Sequence, residues 1–136
     1  MIRVLSNTLE LVRRLSAALT SLLCGLAMAA PTNPAVPAEI ELLLAQLQTS
    51  GRTFNRNNSW YSGAEAIDHL LRKLTYIEGR STVQSTEQFI ELAASKSSSS
   101  GKAYRVKCGE EPPLESAAWL TKQLRVIRAT GGKGRS

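Results

Sequence analysis

Between Glu39 and Gln48, apolar residues recur at i, i+3, i+4 and i+7, starting from Ile40. This interval places them on one face and indicates an amphipathic α-helix. Ser50 and Gly51 follow, and glycine suits the left-handed residue that commonly ends a helix. Because an apolar stripe of this kind is stable only against other elements, the segment predicts a packed domain with helices in its core.

The same helical pattern recurs in later segments. Ser62 and Glu65 have the spacing of a capping box and predict the start of a second helix, which Gly79 ends. A third helix is expected to start at Ser85, and a fourth is expected to span about 114–129. The inward-facing residues of the second helix are expected to be Ala66, Ile67, Leu70, Leu74 and Ile77.

Short extended segments are expected between the helices. Residues 53–61 lack a helical period, and Asn57 followed by Asn58 tolerates positive φ, which predicts a tight turn. Residues 103–108 alternate between apolar and polar side chains, as in a half-buried strand. About four helices with a short two-stranded β element predict a single α+β domain, mainly α, over residues 39–129.

Residues 1–29 predict a secretory signal peptide. Basic residues make the segment 1–14 positive, and the apolar run 15–27 is shorter than the roughly 20 residues that span a bilayer. Ala27 and Ala29 then give an A-x-A cleavage site. We therefore expect a periplasmic or secreted protein without a transmembrane segment after cleavage. The alternative is an amphipathic N-terminal helix of a cytosolic protein.

The flanks of the domain are expected to lack regular structure. Three prolines predict an extended, Pro-rich leader over residues 30–38, and a Gly-rich basic end predicts a flexible tail over 130–136. The formal net charge of +6 falls to +4 without residues 1–29, which hold three arginines and one glutamate. Because no dense run of lysine and arginine remains, nucleic acid is not an expected partner.

Few side chains are available for metal or cofactor chemistry. The chain contains one aspartate and one histidine. Metal sites in proteins are usually built from several histidine, cysteine or carboxylate ligands close together. We therefore expect no metal ion and no other cofactor.

Arg56, Asn57, Trp60 and Tyr61 form the most site-like cluster in the sequence. An arginine and an asparagine beside two aromatic rings suit the stacking of a sugar or the binding of an anionic group. In the alternative interpretation, Trp60 and Tyr61 cover the start of the second helix and Arg56 forms a salt bridge. The sequence leaves both interpretations open.

His69 and Lys73 lie on one margin of the predicted second helix. His69 can serve as a general base for a serine in the loop 95–100, or it can pack beneath the predicted strand. Ser100 belongs to the Ser-rich segment before that strand, and Tyr104 lies at the start of the strand. The segment is either a structural turn or a polar recognition surface. These four residues complete the candidate ligand-binding set, and no residue is assigned as catalytic.

Several motifs occur in an order that resembles a known family. They are Phe54-x-Arg56-Asn57, Trp60-Tyr61, His69-Leu70-x-x-Lys73, Ser97-x-Ser99-Ser100-Gly101-x-x-Tyr104 and Trp119-Leu120. In this set the chain resembles the YfeK-like family of small exported bacterial envelope proteins, a domain of unknown function. The resemblance covers about residues 39–128. It implies export and a compact helical domain, and it brings no established activity.

One difference from that family concerns its cysteines. Members usually carry a cysteine at the position of Arg52, and the resemblance implies that it pairs with the residue matching Cys108. Here no such bridge can form within one chain. Cys108 is therefore expected to be unpaired, either buried as an apolar thiol or exposed and able to link two copies. The protein is expected to be a monomer or a Cys108-linked dimer.

These observations support three functional hypotheses. The first is an exported, non-enzymatic binding or structural module whose partner is an unknown envelope ligand or protein. The second is a small hydrolase that uses His69. The third is an inhibitor of a lysozyme-type hydrolase, because the segment 97–104 is locally similar to the loop of small periplasmic lysozyme inhibitors.

Overall fold

The computed structural model describes residues 33–133. The predicted signal peptide, the first residues of the leader and the last three residues of the tail lie outside this range. The described part contains four helices and four strands. In chain order they are α1 (Ala35–Thr49), β1 (Thr53–Arg56), β2 (Ser59–Tyr61), α2 (Gly63–Glu78), α3 (Thr86–Ala93), β3 (Arg105–Lys107), β4 (Leu114–Glu115) and α4 (Ser116–Lys133).

The strands form one antiparallel sheet in the order β2-β1-β3-β4. The mainly helical α+β class is confirmed, but the prediction of a two-stranded β element is wrong. β1 and β2 form a hairpin around Asn57 and Asn58, whose φ angles of 50° and 67° confirm the predicted turn. β4 was missed because two residues, Leu114 and Glu115, show no period of their own before a helix begins.

Both flanks are more ordered than predicted. α1 begins at Ala35, so the prediction of an extended leader is wrong for residues 35–38. Pro37 fits this helix because N–H groups in the first turn have no helical acceptor. The Asn33 side chain accepts a hydrogen bond from the Ala35 N–H at 3.0 Å. At the other end α4 continues to residue 133, so the predicted tail is helical over 130–133.

The predicted capping box at the start of α2 is confirmed. The Glu65 N–H donates to Ser62 Oγ at 3.2 Å, and the Ser62 N–H donates to Glu65 Oε2 at 2.8 Å. Two of the otherwise unpaired donors at the start of the helix are satisfied in this way. The helix ends at Gly79, as predicted. The cap therefore sets the first residue of α2, the helix that carries His69.

The core lies between one face of the sheet and the helices. Phe54, Tyr104 and Val106 point into it and are at most 1% exposed. Burial of one such side chain contributes about 1.5–3 kcal/mol. On α2, Ala66 and Leu70 are fully buried. The remaining predicted inward residues of α2 pack against the core while partly buried, and they are Ile67, Leu74 and Ile77.

Arg128 connects three helices at the surface. From α4, its guanidinium donates to the carboxylate of Glu39 on α1 at 2.8 Å and to that of Glu87 on α3. The buried hydroxyl of Thr86 also donates to Glu39, at 2.7 Å. Hydrogen bonds from Arg128 hold the pKa values of both glutamates below their usual range. None of the helices within residues 33–133 has both the length and the apolar character needed to cross a membrane.

Candidate functional site

The sheet divides the predicted loop cluster between its two faces. In the hairpin, Phe54 lies opposite Tyr61 and Asn55 lies opposite Trp60. Neighbouring residues of a strand point to opposite faces. Arg56 and Tyr61 therefore lie on the face that covers the core, and Trp60 lies on the outer face. The sequence prediction had placed them on one loop surface.

Arg56, His69 and Tyr104 form a hydrogen-bonded chain on the inner side of the sheet. Arg56 Nη1 lies 3.0 Å from His69 Nδ1, and His69 Nε2 lies 3.0 Å from the Tyr104 hydroxyl. Because a guanidinium has only donors, His69 Nδ1 must accept and therefore carries no proton. In the neutral ring the proton then sits on Nε2, which donates to Tyr104. Arg56 thus sets the tautomer of His69.

Lys73 joins the same cluster from the next turn of α2. Its ammonium donates to the Lys96 carbonyl at 2.6 Å and to the Tyr104 hydroxyl at 3.3 Å. It also lies 5.0 Å from the centroid of the Tyr104 ring. A cation near the face of an aromatic ring is attracted to it. The structure therefore brings four of the predicted residues together, namely Arg56, His69, Lys73 and Tyr104.

The electrostatics of this cluster favour a neutral histidine. Burial is the largest cause that lowers the pKa of His69 from 6.5 to about 4, and the cations of Arg56 and Lys73 act in the same direction. Burial also lowers the pKa of Lys73 and raises that of Tyr104. The hydrogen bond from Arg56 lowers the pKa of Tyr61. Neutral His69 agrees with the tautomer that the hydrogen bonds require.

A pocket of about 220 Å³ lies beside the hydrogen-bonded residues Arg56 and His69, between the β1–β2 hairpin and α2. We call it the inner pocket. It carries both positive and negative side chains, and its base is aromatic and apolar. The lining residues are Phe54, Arg56, Tyr61, Glu65, Ala66, Asp68, His69 and Arg72.

The outer face of the sheet presents a row of different side chains across the four strands. The register places Trp60, Asn55, Arg105 and Glu115 opposite one another on successive strands. Neighbouring strands lie about 4.8 Å apart, so the row crosses the whole sheet. Trp60 is 39% exposed. The Lys107 ammonium lies 4.4 Å from the centroid of the Trp60 ring and adds a cation beside the row.

Around the first three residues of this row lies a concavity of about 550 Å³, which we call the outer concavity; Glu115 does not line it. Its lining contains three asparagines, one tryptophan and two cations, and no carboxylate. The lining residues are Asn55, Asn57, Asn58, Trp60, Lys102, Ala103 and Arg105. Asn55 and Arg105 were not predicted, whereas Lys102 lies in the predicted loop 97–104. The alternation of residues 103–108 could have placed Arg105 on the outer face, because its neighbours Tyr104 and Val106 are buried on the inner face.

The rim of the outer concavity is held together by Ser100. Its hydroxyl donates to Asn57 Oδ1 at 2.6 Å and ties the Ser-rich loop to the tip of the hairpin. Within the loop, the Ser97 N–H donates to the Lys102 carbonyl and the Gly101 N–H donates to the Ser97 carbonyl, both at 2.9 Å. The loop is therefore a hydrogen-bonded turn, and it also supplies one wall of the concavity.

Cys108 is exposed, so the alternative of a buried thiol is wrong. β3 ends at Lys107, and Gly109 turns the chain with a φ of 55°, so Cys108 lies beyond the strand. Thr53 pairs with Lys107, and one more step of this register places Arg52 opposite Cys108. Arg52 itself lies against Trp119, with its guanidinium carbon 5.4 Å from the ring centroid.

Within the described part of the chain, histidine, cysteine and carboxylate side chains do not gather into a group able to hold a metal ion. The one histidine has both ring nitrogens in contact with Arg56 and Tyr104. The only aspartate, Asp68, lines the inner pocket.

The comparisons with known proteins agree with the sequence resemblance. A family of unknown function, DUF5329, matches residues 34–128. The chain is 36% identical over 94 residues to the uncharacterized protein YfeK of Salmonella typhimurium, and the match covers 68% of this chain and 77% of that protein. No solved structure matches. The chain therefore belongs to DUF5329 and carries a YfeK-like domain of unknown function.

Proposed function

We propose that this protein is an exported, non-enzymatic binding module of the bacterial envelope, and that its outer concavity binds an anionic glycan. The observation that carries the proposal is the composition of this concavity. Trp60, Lys102 and Arg105 line it together with three asparagines and no carboxylate. An anion entering it meets cations and hydrogen-bond donors and no opposing charge from the lining.

Each kind of side chain in the outer concavity suits one part of an acidic sugar. The Trp60 ring is partly exposed, and the face that Lys107 does not cover offers an apolar surface to the C–H side of a sugar ring. Asparagine amides both donate and accept hydrogen bonds, as sugar hydroxyls require. Arg105 and Lys102 supply positive charge for a carboxylate or phosphate, and the arginine can bind it with two parallel hydrogen bonds.

The site is also organised before a ligand arrives. Ser100 fixes the carbonyl end of the Asn57 side chain, so its amide N–H groups remain available to a ligand. Asn57 and Asn58 occupy a two-residue turn of fixed geometry. Less conformational entropy is lost on binding when the contacting groups are already ordered.

Export is supported by the sequence of residues 1–29, whose positive start, short apolar run and A-x-A site are typical of a signal peptide. An exported binding protein of a bacterium meets glycans of the envelope. Cell fractionation of the native producer tests this part of the proposal. Protein found in the cytosol with residues 1–29 retained would contradict it.

The geometry gives less support to the other two hypotheses. A hydrolase that uses His69 as a base needs a nucleophile at one ring nitrogen, and Arg56 and Tyr104 hold both. In the segment that resembles an inhibitor loop, Ser97 and Tyr104 at its two ends are 5% and 1% exposed, so only residues 98–103 between them reach the surface. The outer concavity, in contrast, is open to solvent.

The test is calorimetric titration of the purified protein with soluble, carboxylate-bearing peptidoglycan fragments. We expect binding that weakens as salt is raised, because the cations of the concavity are exposed. Trp60→Ala and Arg105→Gln are each expected to weaken binding about tenfold, the effect of losing one aromatic or one charge-assisted contact. Uncharged chito-oligosaccharides are expected to bind more weakly than the acidic fragments.

The matched control is Lys122→Gln, which removes one exposed cation from α4, away from the sheet. It is expected to bind like the unmodified protein. If Lys122→Gln and Arg105→Gln lost the same amount of binding affinity, only the net charge of the protein would matter for binding. Such a result, or no binding of any acidic fragment to folded protein, would overturn the proposed site.

A further inference from the structure

The inner pocket differs from the outer concavity in its balance of charge. Arg56 and Arg72 contribute two positive groups, and Glu65 and Asp68 contribute two negative ones. His69 is neutral because its pKa is about 4. The charges of the lining therefore cancel at neutral pH, although groups of both signs are present.

These four charged groups do not neutralise one another by direct contact. Among residues 33–133, the carboxylate–cation pairs at ion-pair distance are those that Arg128 makes with Glu39 and Glu87. Arg56 instead donates to His69 at 3.0 Å and to the Tyr61 hydroxyl at 3.5 Å. Glu65 uses one carboxylate oxygen for the capping box. Both signs of charge thus remain available to a molecule in the pocket.

Arg56 is held in place more firmly than a surface arginine. His69 and Tyr61 contact two different nitrogens of its guanidinium, and its central carbon lies 5.2 Å from the centroid of the Tyr61 ring. His69 is itself fixed by Tyr104. A side chain positioned in this way loses little further entropy when it binds a ligand.

We propose that the inner pocket binds a compact zwitterion, a free amino acid, with its carboxylate at Arg56 and Arg72 and its ammonium at Glu65 and Asp68. A ligand with one sign of charge would be attracted by one pair and repelled by the other. A zwitterion satisfies both pairs. The aromatic and apolar base formed by Phe54, Tyr61 and Ala66 receives the rest of the molecule.

The size of the pocket agrees with this class of ligand. Pockets for drug-sized molecules have volumes of about 300–1,000 Å³, and the inner pocket has about 220 Å³. Glu65, Asp68 and Arg72 of its lining are exposed, so a ligand reaches the pocket from solvent. This proposal does not depend on the function proposed for the outer concavity, since the two sites share no lining residue.

The experiment is a titration followed by NMR on the ring signals of His69, which report on the pocket without ambiguity because the chain has one histidine. The full set of standard free amino acids is the first panel. For each amino acid that shifts the signals, the N-acetyl derivative and the amide derivative are compared with it. Each derivative lacks one charge, and its affinity is expected to be lower by at least about tenfold.

Two variants locate the site. Arg56→Gln and Asp68→Asn each remove one charged partner and are expected to weaken binding of the same amino acid by about tenfold, with the fold verified by circular dichroism. Asp68 is exposed and Asn is nearly isosteric, so this variant tests the pocket even if Arg56→Gln unfolds. Arg80→Gln is the control, because Arg80 lies two residues beyond the C-terminal end of α2 and does not line the pocket.

Two results would overturn the inference. One is that no free amino acid shifts the His69 signals at millimolar concentration. The other is that the acetylated and amidated derivatives bind as well as the parent amino acid, which would mean that the charges of the pocket do not recognise the ligand. If the calorimetric test shows no glycan binding, the His69 signals and the comparison with the derivatives still test the inner pocket.

Discussion

Arg56 Nη1 lies 3.0 Å from His69 Nδ1, and this contact requires a neutral histidine. A protonated ring would place a donor against a donor and a positive charge against a guanidinium. The same contact links β1 to α2, so the charge state of His69 is coupled to the packing of the hairpin on the helix. The first predictions follow from this relationship.

The pKa of His69 is expected to be about 4, compared with 6.5 for an unperturbed histidine. Burial is the main cause, and the neighbouring cations reinforce it. A titration of the His69 ring protons by NMR measures it directly. In Arg56→Gln the pKa of His69 is expected to rise, because the cation beside Nδ1 is removed. A value near 6.5 in the unmodified protein would show that the ring is not held by Arg56.

Stability is expected to increase with pH between about 4.5 and 6.5 because of His69. Its folded-state pKa is lowered, so the unfolded chain binds more protons in this window and acid favours unfolding. The contribution of neutral His69 to the free energy of unfolding is complete above about pH 6.5 and is lost as the pH falls toward 4. Denaturant unfolding at a series of pH values measures the slope.

The matched variant for that slope is His69→Gln. A glutamine side chain can accept from Arg56 and donate to Tyr104 but does not titrate. The slope between pH 4.5 and 6.5 is expected to disappear, whereas the acid destabilisation below pH 4.5 that comes from Glu39 and Glu87 is expected to remain. A slope that survives the substitution contradicts the assignment to His69.

Arg52→Cys is expected to form a disulfide with Cys108, since the register of β1 and β3 places the two positions opposite each other. In the chain-entropy model a bridge that closes a loop of this length stabilises the fold by on the order of 4 kcal/mol. Thiol titration and thermal unfolding, with and without reductant, measure both effects. Arg52→Ser is the control, because it removes the contact with Trp119 and cannot bridge.

Arg128→Gln is expected to lower the free energy of unfolding by about 1 kcal/mol, the size expected for two exposed ion pairs that share one guanidinium. The guanidinium joins α4 to α1 and α3 through Glu39 and Glu87. Arg125→Gln removes the same charge from an exposed position nearby on α4. Equal effects of the two substitutions in urea unfolding would mean that the bridge does not stabilise the fold.

Local signals predicted the helices and turns well because their causes are local. Ser62 and Glu65 satisfy each other across one turn, and Asn57 and Asn58 tolerate the positive φ that their two-residue turn requires. The leader prediction failed at Pro37, where proline was interpreted as excluding a helix although the first turn tolerates it.

The candidate site was predicted less well because it depends on pairing between distant segments. Trp60 and Tyr61 are neighbours in sequence and lie on opposite faces once β2 pairs with β1. The contact between His69 and Tyr104 joins residues 35 positions apart. Arg105 enters the outer concavity only because β3 pairs with β1. No local pattern specifies which strands become neighbours.

NMR mapping shows whether a glycan binds at the outer concavity or at another surface of the protein. Isotope-labelled protein is titrated with carboxylate-bearing peptidoglycan fragments while the backbone amide signals are followed. Binding in the outer concavity is expected to shift the signals of Asn55, Asn57, Trp60 and Arg105 and to leave the His69 ring signals unchanged. Shifts confined to the helices, or no shifts with any acidic fragment, would contradict it.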